Sequence, residues 1–132
     1  MYRSVIVAIV VAAASGLAAA QTLTSDELRG GGSWKTDGES KRPAQRWSVD
    51  LHRGEDDTIS GLITAADSPL LQAGRIHGKL DGQVISGTIT NEQGEHVARF
   101  NGILSREGFR GKYVDTTGEV GAWQWEGNLP VE

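Results

Sequence analysis

Acid–base, metal or nucleophilic chemistry in this chain would have to come from three histidines and a few acidic runs, because it contains no cysteine. A thiolate nucleophile and thiolate metal ligands are thereby excluded. His52, His77 and His96 stand at no spacing that would put two of them, or one with a carboxylate, on a shared metal ion. Glu55-Asp56-Asp57 offers oxygen ligands of the kind Ca²⁺ takes, but it lacks the Asp-x-Asp-x-Asp-Gly series that turns successive oxygens onto the ion. No Gly-x-Ser-x-Gly elbow and no His-Glu-x-x-His pair occurs. Gly30-Gly31-Gly32-Ser33 neither follows an expected strand nor opens a helix, as a phosphate cradle must. These residues describe a protein that binds rather than catalyses, with no cofactor and no resident metal.

Aromatic residues are the richer signal. Trp34 lies early in the chain, Trp47 somewhat later, and Trp123 and Trp125 near the end. They either fill a core or line a pocket for a small apolar ligand. The elements that would position them read as strands, since apolar residues alternate and turn residues punctuate them at short intervals. Strands are expected over 33–37, 45–53, 57–65, 73–80, 83–90, 96–104, 109–115 and 120–128. A capping-box signature, Thr24 with Glu27 three residues on, predicts a short helical turn ahead of them, broken by Gly30-Gly31-Gly32. The fold class is therefore all-β: an antiparallel meander of about eight short strands, forming a closed or strongly curved small barrel, with a sandwich as the other closure. In a barrel the first and last strands are neighbours, which would bring Trp34 near Trp123 or Trp125. Phe100 and Tyr113 complete the expected interior set of Trp34, Trp47, Phe100, Tyr113, Trp123 and Trp125.

One pattern recurs five times: apolar-x-Gly-x-apolar, centred on Gly61, Gly78, Gly87, Gly102 and Gly111. Residues two apart in a strand share a face, so each glycine leaves a gap on the core side. If Asp81-Gly82 forms a two-residue hairpin turn, Gly78 faces Ile85 and Ile76 faces Gly87, and the gaps are filled across the ladder. The glycines would also permit the bends of a small barrel. The competing reading is that they clear an internal cavity.

The opposite face is polar. Arg75, His77, Lys79, Arg110 and Lys112 lie on it, with Arg99, and form a candidate partner-binding patch for an anion, a glycan or an acidic protein; a plain solvated face is the alternative. Leu62, Val84, Ile103 and Val114 interrupt it as an apolar stripe. A polar outside argues against an outer-membrane barrel, whose alternation is inverted.

Residues 1–20 read as a secretory signal peptide. Arg3 precedes a short apolar run, and Ala18-Ala19-Ala20 supplies small residues before Gln21. Residues 21–132 then form one domain, exported to the periplasm or outside the cell. The chain carries a formal net charge of −4. A mildly acidic protein is not expected to bind nucleic acid in general, and no membrane-spanning helix is expected after the leader.

Gly32-Ser33-Trp34, at the opening of the first strand, resembles the start of calycin-type barrels: lipocalins, avidins and the secreted bacterial metalloprotease inhibitors. The resemblance implies a meander barrel in which Trp34 packs at the closure. It implies either a ligand carrier or a protease inhibitor, the latter acting through residues 21–31 or its outer face. Nothing in the sequence specifies oligomeric state.

Overall fold

The computed structural model describes residues 23–37, 45–65, 72–105, 108–127 and 129. The expected leader over 1–20, and residues 21–22, lie outside them. Eight strands follow in order: β1 (Glu27–Thr36), β2 (Gln45–Arg53), β3 (Thr58–Ala65), β4 (Ala73–Asp81), β5 (Val84–Asn91), β6 (His96–Ser105), β7 (Gly108–Asp115) and β8 (Val120–Glu126). Each pairs antiparallel with the next, and β8 pairs with β1, so the sheet closes into a barrel and no sandwich forms. No helix among the described residues is long and apolar enough to cross a membrane.

The period-two alternation builds the core directly. Leu28 faces Leu51, Leu80 faces Ile85 and Leu104 faces Phe109 across the ladder, and all six are buried. With Ile59 and Trp125 they pack one end of the barrel shut, and Leu23 joins them. Each large side chain so buried contributes about 1.5–3 kcal/mol. Toward the other end the register of β5 and β6 shifts at Ile89/Thr90, and the extra residue on β6 lets the consecutive Val97 and Ala98 both be buried.

Two expectations are corrected. The helical turn near residues 24–28 does not form. Ser25 Oγ does accept a hydrogen bond from the Glu27 N–H at 3.0 Å, the local capping interaction, but the chain then enters β1 instead of a helix. Burial decides it: Leu28 is only 1 % exposed, in register with Leu51. The glycine triplet is not a breaker but the middle of β1. A Cβ at Gly31 would lie 2.2 Å from the Trp47 carbonyl oxygen on β2, and one at Gly32 would lie 1.8 Å from that of Gln124 on β8. Only glycines let β1 fit between its two neighbours, so the triplet is the seam at which the barrel closes.

The β4–β5 hairpin turns one residue later than expected. Asp81 stays in the strand opposite Val84, and Gly82-Gln83 make the turn. Gly82 has φ 64°, the positive value that the first position of a type II′ turn requires. Gly78 therefore faces Gly87, and Ile76 faces Ile89. The gaps are filled by aromatic rings from neighbouring strands instead. Phe100 faces Gly87 and Trp123 faces Gly111. A Cβ at Gly87 would meet Phe100 Cζ at 3.0 Å and the His77 carbonyl oxygen at 2.5 Å; one at Gly102 would meet Trp123 Cζ2 at 2.6 Å. The repeat thus serves close strand approach and ring packing, and clears no cavity at these positions.

Candidate functional site

Closure of β8 on β1 gathers five of the six expected interior aromatics above the aliphatic end. Trp34 stands in register with Trp123, and Gly32 lies between Trp47 and Trp125. The rings interlock edge to face: Trp47 with Trp123 at 6.0 Å and with Trp125 at 5.7 Å, Phe100 with Trp123 at 6.0 Å, and Trp34 with Tyr113 at 5.9 Å. Such pairs add about 0.5–1.5 kcal/mol each beyond burial. Trp125 is part of the buried core, only 7 % exposed, whereas Trp34, Trp47, Phe100, Tyr113 and Trp123 are half-buried. The barrel is therefore aliphatic and sealed at one end, aromatic and partly open toward the other.

The polar atoms of these rings are unequally satisfied. Trp47 Nε1 donates to the Ser33 carbonyl at 2.9 Å, and Trp123 Nε1 donates to that of Lys112 at 3.2 Å. Tyr113 and Thr36 share a hydroxyl–hydroxyl hydrogen bond at 3.0 Å. Trp34 Nε1 is buried and, among the described residues, has no partner. A buried donor left unmatched costs about 1–3 kcal/mol, so an acceptor brought to it is rewarded.

Burial pushes the Tyr113 phenol above its ordinary value of 10.0. The Thr36 hydrogen bond pulls the other way, and Asp115, Glu119 and Asp37 add to the rise. The neutral hydroxyl is therefore the form the barrel holds. Because the folded value is raised, this stabilisation is fully present below the unfolded value and is lost as pH rises through the folded one. Tyr113 is the only tyrosine beyond the expected leader. In a chain of residues 21–132, phenolate absorbance is expected to titrate with a midpoint above 10.0, and Thr36→Val should raise it further. A midpoint at or below 10.0 would contradict the burial described here.

The outer-face candidates are placed on two strands: Arg75, His77 and Lys79 project from β4, and Arg110 and Lys112 from β7. They do not touch directly, since β5 and β6 intervene; Arg99 on β6 lies between them. Leu62, Val84 and Ile103 are exposed, as is Val120, while Val114 is half-buried. Only Val84 and Ile103 face each other among the first three, so no continuous stripe forms. Residues 27–31, expected as part of an interaction arm, are the first half of β1. Among the described residues no group of three His, Asp or Glu is placed to hold a metal ion.

Sequence reasoning missed a second feature. Arg46 on β2 pairs with Glu126 on β8 at 2.5 Å, spanning β1 over the glycine triplet. The Arg46 hydrogen bond, aided by one from Ser33, holds the Glu126 carboxyl below its ordinary range. Gly31, Ser48 and Thr64 line the shallow depression beside this pair, with Trp47 at its edge. Only knowledge that β8 closes on β1 would bring residues 46 and 126 together.

Fold and site define an eight-stranded up-and-down β-barrel with one aliphatic and one aromatic end. Comparison with protein-family models, curated proteins and solved structures found no match.

Proposed function

We propose that the protein is a non-catalytic binder that holds a small apolar or amphipathic molecule at the aromatic end of its barrel, with a polar acceptor of that molecule on Trp34 Nε1. The observation that carries the reading is the buried, unpartnered Trp34 N–H set among half-buried rings. Eight-stranded barrels are wide enough to hold one small ligand in this way. Gly32-Ser33-Trp34, resembling the opening of calycin-type barrels, supports a carrier. The leader read in residues 1–20 supports placing it in the periplasm or outside the cell.

The test is a native mass spectrum of the mature protein purified gently from its own source. A reproducible added mass is expected, and it would identify the ligand class. Trp34→Phe, which keeps a ring and removes the N–H, should then weaken that ligand by about tenfold, the loss of one buried hydrogen bond. A bare protein mass, whether monomer or dimer, would overturn the reading and leave the barrel as a scaffold for its outer face.

A further inference from the structure

We propose that the outer face of β4–β7 docks an anionic polysaccharide, a sugar chain bearing repeated carboxylates. The chain as a whole is acidic, with net charge −4. Yet the outward positions of β3 to β7 present Arg75, His77, Lys79, Arg99, Arg110 and Lys112 against one carboxylate, Asp81, at the end of β4. Among the described residues, the opposite wall pairs its arginines, though not Lys35, with carboxylates. There Arg29 pairs with Asp50 at 3.1 Å, Arg53 with Asp26 at 3.2 Å and Arg46 with Glu126, and the His52 ring hydrogen-bonds Glu27 at 2.6 Å. On the β4–β7 face Lys112 pairs with Asp37 at 3.5 Å, but Arg75, Lys79 and Arg99 make no ion pair or side-chain hydrogen bond among the described residues. Like charges gathered without partners repel, and a polyanion relieves that repulsion.

The register gives the face its chemistry. Thr88 stands between His77 and Arg99, Ser86 between Lys79 and Asn101, and Thr90 beside Arg75. A row of hydroxyls thus runs down β5, with Arg75 and Lys79 on β4 about 14 Å apart along one side and Arg99 on β6 on the other, each about 4.8 Å from the row. Cations take carboxylates; hydroxyls and Asn101 take the hydroxyls of sugars. Single-stranded nucleic acid would need aromatic platforms, and no aromatic side chain projects from this face. An anionic lipid surface would favour apolar side chains among the charges. Here Leu62 faces Arg75, Val114 faces Arg99 and Ile103, beside Val84, faces Arg110, so the apolar side chains are scattered and form no continuous surface to insert.

The experiment measures binding of the mature protein to polygalacturonate, with neutral dextran as control. Binding is expected at low salt, weakening steeply as salt rises, and absent for dextran. The variant Arg75→Gln/Lys79→Gln/Arg99→Gln should bind at least about tenfold more weakly, because it removes three unpaired charges. Arg29→Gln/Asp50→Asn, on the opposite wall, should change binding less than about twofold. Unchanged thermal midpoints in both variants keep the comparison one of charge. No binding to polygalacturonate, equal binding by the triple variant, or equal binding to dextran would overturn the proposal. So would tighter binding to phosphatidylglycerol vesicles or to a single-stranded oligonucleotide.

Discussion

Gly111→Ala is expected to destabilise the barrel by about 3 kcal/mol or more, at or beyond the upper end of what overpacking usually costs. The added methyl would sit 1.8 Å from the Asn101 carbonyl oxygen and 2.5 Å from the Gly102 Cα. Both are backbone atoms of β6, so no rotamer change can relieve the clash; the strands must separate or the ladder must break. Gly87→Ala should behave similarly, pressed against the His77 carbonyl oxygen at 2.5 Å. Gly54→Ala provides the control: its methyl would have only the Thr58 carbonyl oxygen nearby, at 3.8 Å. Urea unfolding followed by tryptophan fluorescence should show large falls in midpoint for the first two and a shift within about 0.5 kcal/mol for the third. Equal effects of all three would mean that strand glycines act only through the entropy of the unfolded chain, and the close-approach account would fail.

That prediction also marks what the sequence made legible. The recurring glycines pointed to a curved, closed sheet, and alternation placed seven strands to within about two residues, the usual blur at strand ends. It could not tell which neighbour fills each gap. Shifting the β4–β5 turn by one residue changes every facing pair in that hairpin, and the Gly78–Gly87 pair follows from Gly82-Gln83 rather than Asp81-Gly82. β1 was misread because glycine carries two opposite meanings. In isolation it breaks structure; where two backbones crowd a strand from both sides, nothing else fits.

The second large effect concerns the segment that leads into and begins β1. Deleting residues 21–29 is expected to abolish cooperative unfolding. It would remove Glu27, Leu28 and Arg29, which pair with His52, Leu51 and Asp50. It would remove Leu23, 4 % exposed, and Leu28, 1 % exposed, from the sealed end. The pairs Arg53–Asp26, His52–Glu27 and Arg29–Asp50 would go as well. Leu28→Ala alone should cost about 2–5 kcal/mol, as buried leucines do. Circular dichroism and a urea titration decide the matter. A native spectrum with a sharp transition after the deletion would show that the segment is a dispensable arm and would restore an inhibitor acting through it.

The candidate site was legible in composition and not in geometry. Six aromatic positions on inward faces could be named from alternation alone. That Trp125 sits in the sealed core while Trp34 is left with an unmatched N–H depends on the tilt and closure of the sheet, which no local pattern encodes. The cationic face was visible on single strands, but its hydroxyl row became visible only through the register of β5 with β4 and β6.

The seam between β1 and β8 has a consequence in time. Its partners come from the two ends of the domain, so the last ladder to form closes the longest loop in the chain, and proteins dominated by such distant contacts fold slowly. Until β8 arrives, β1 is an open edge, the kind of strand that invites pairing with a stranger. Three adjacent glycines let a foreign backbone approach as closely as β8 does and specify register weakly. The residues that make closure sterically possible thus also leave the unfinished barrel open to exchange with its own copies until β8 docks.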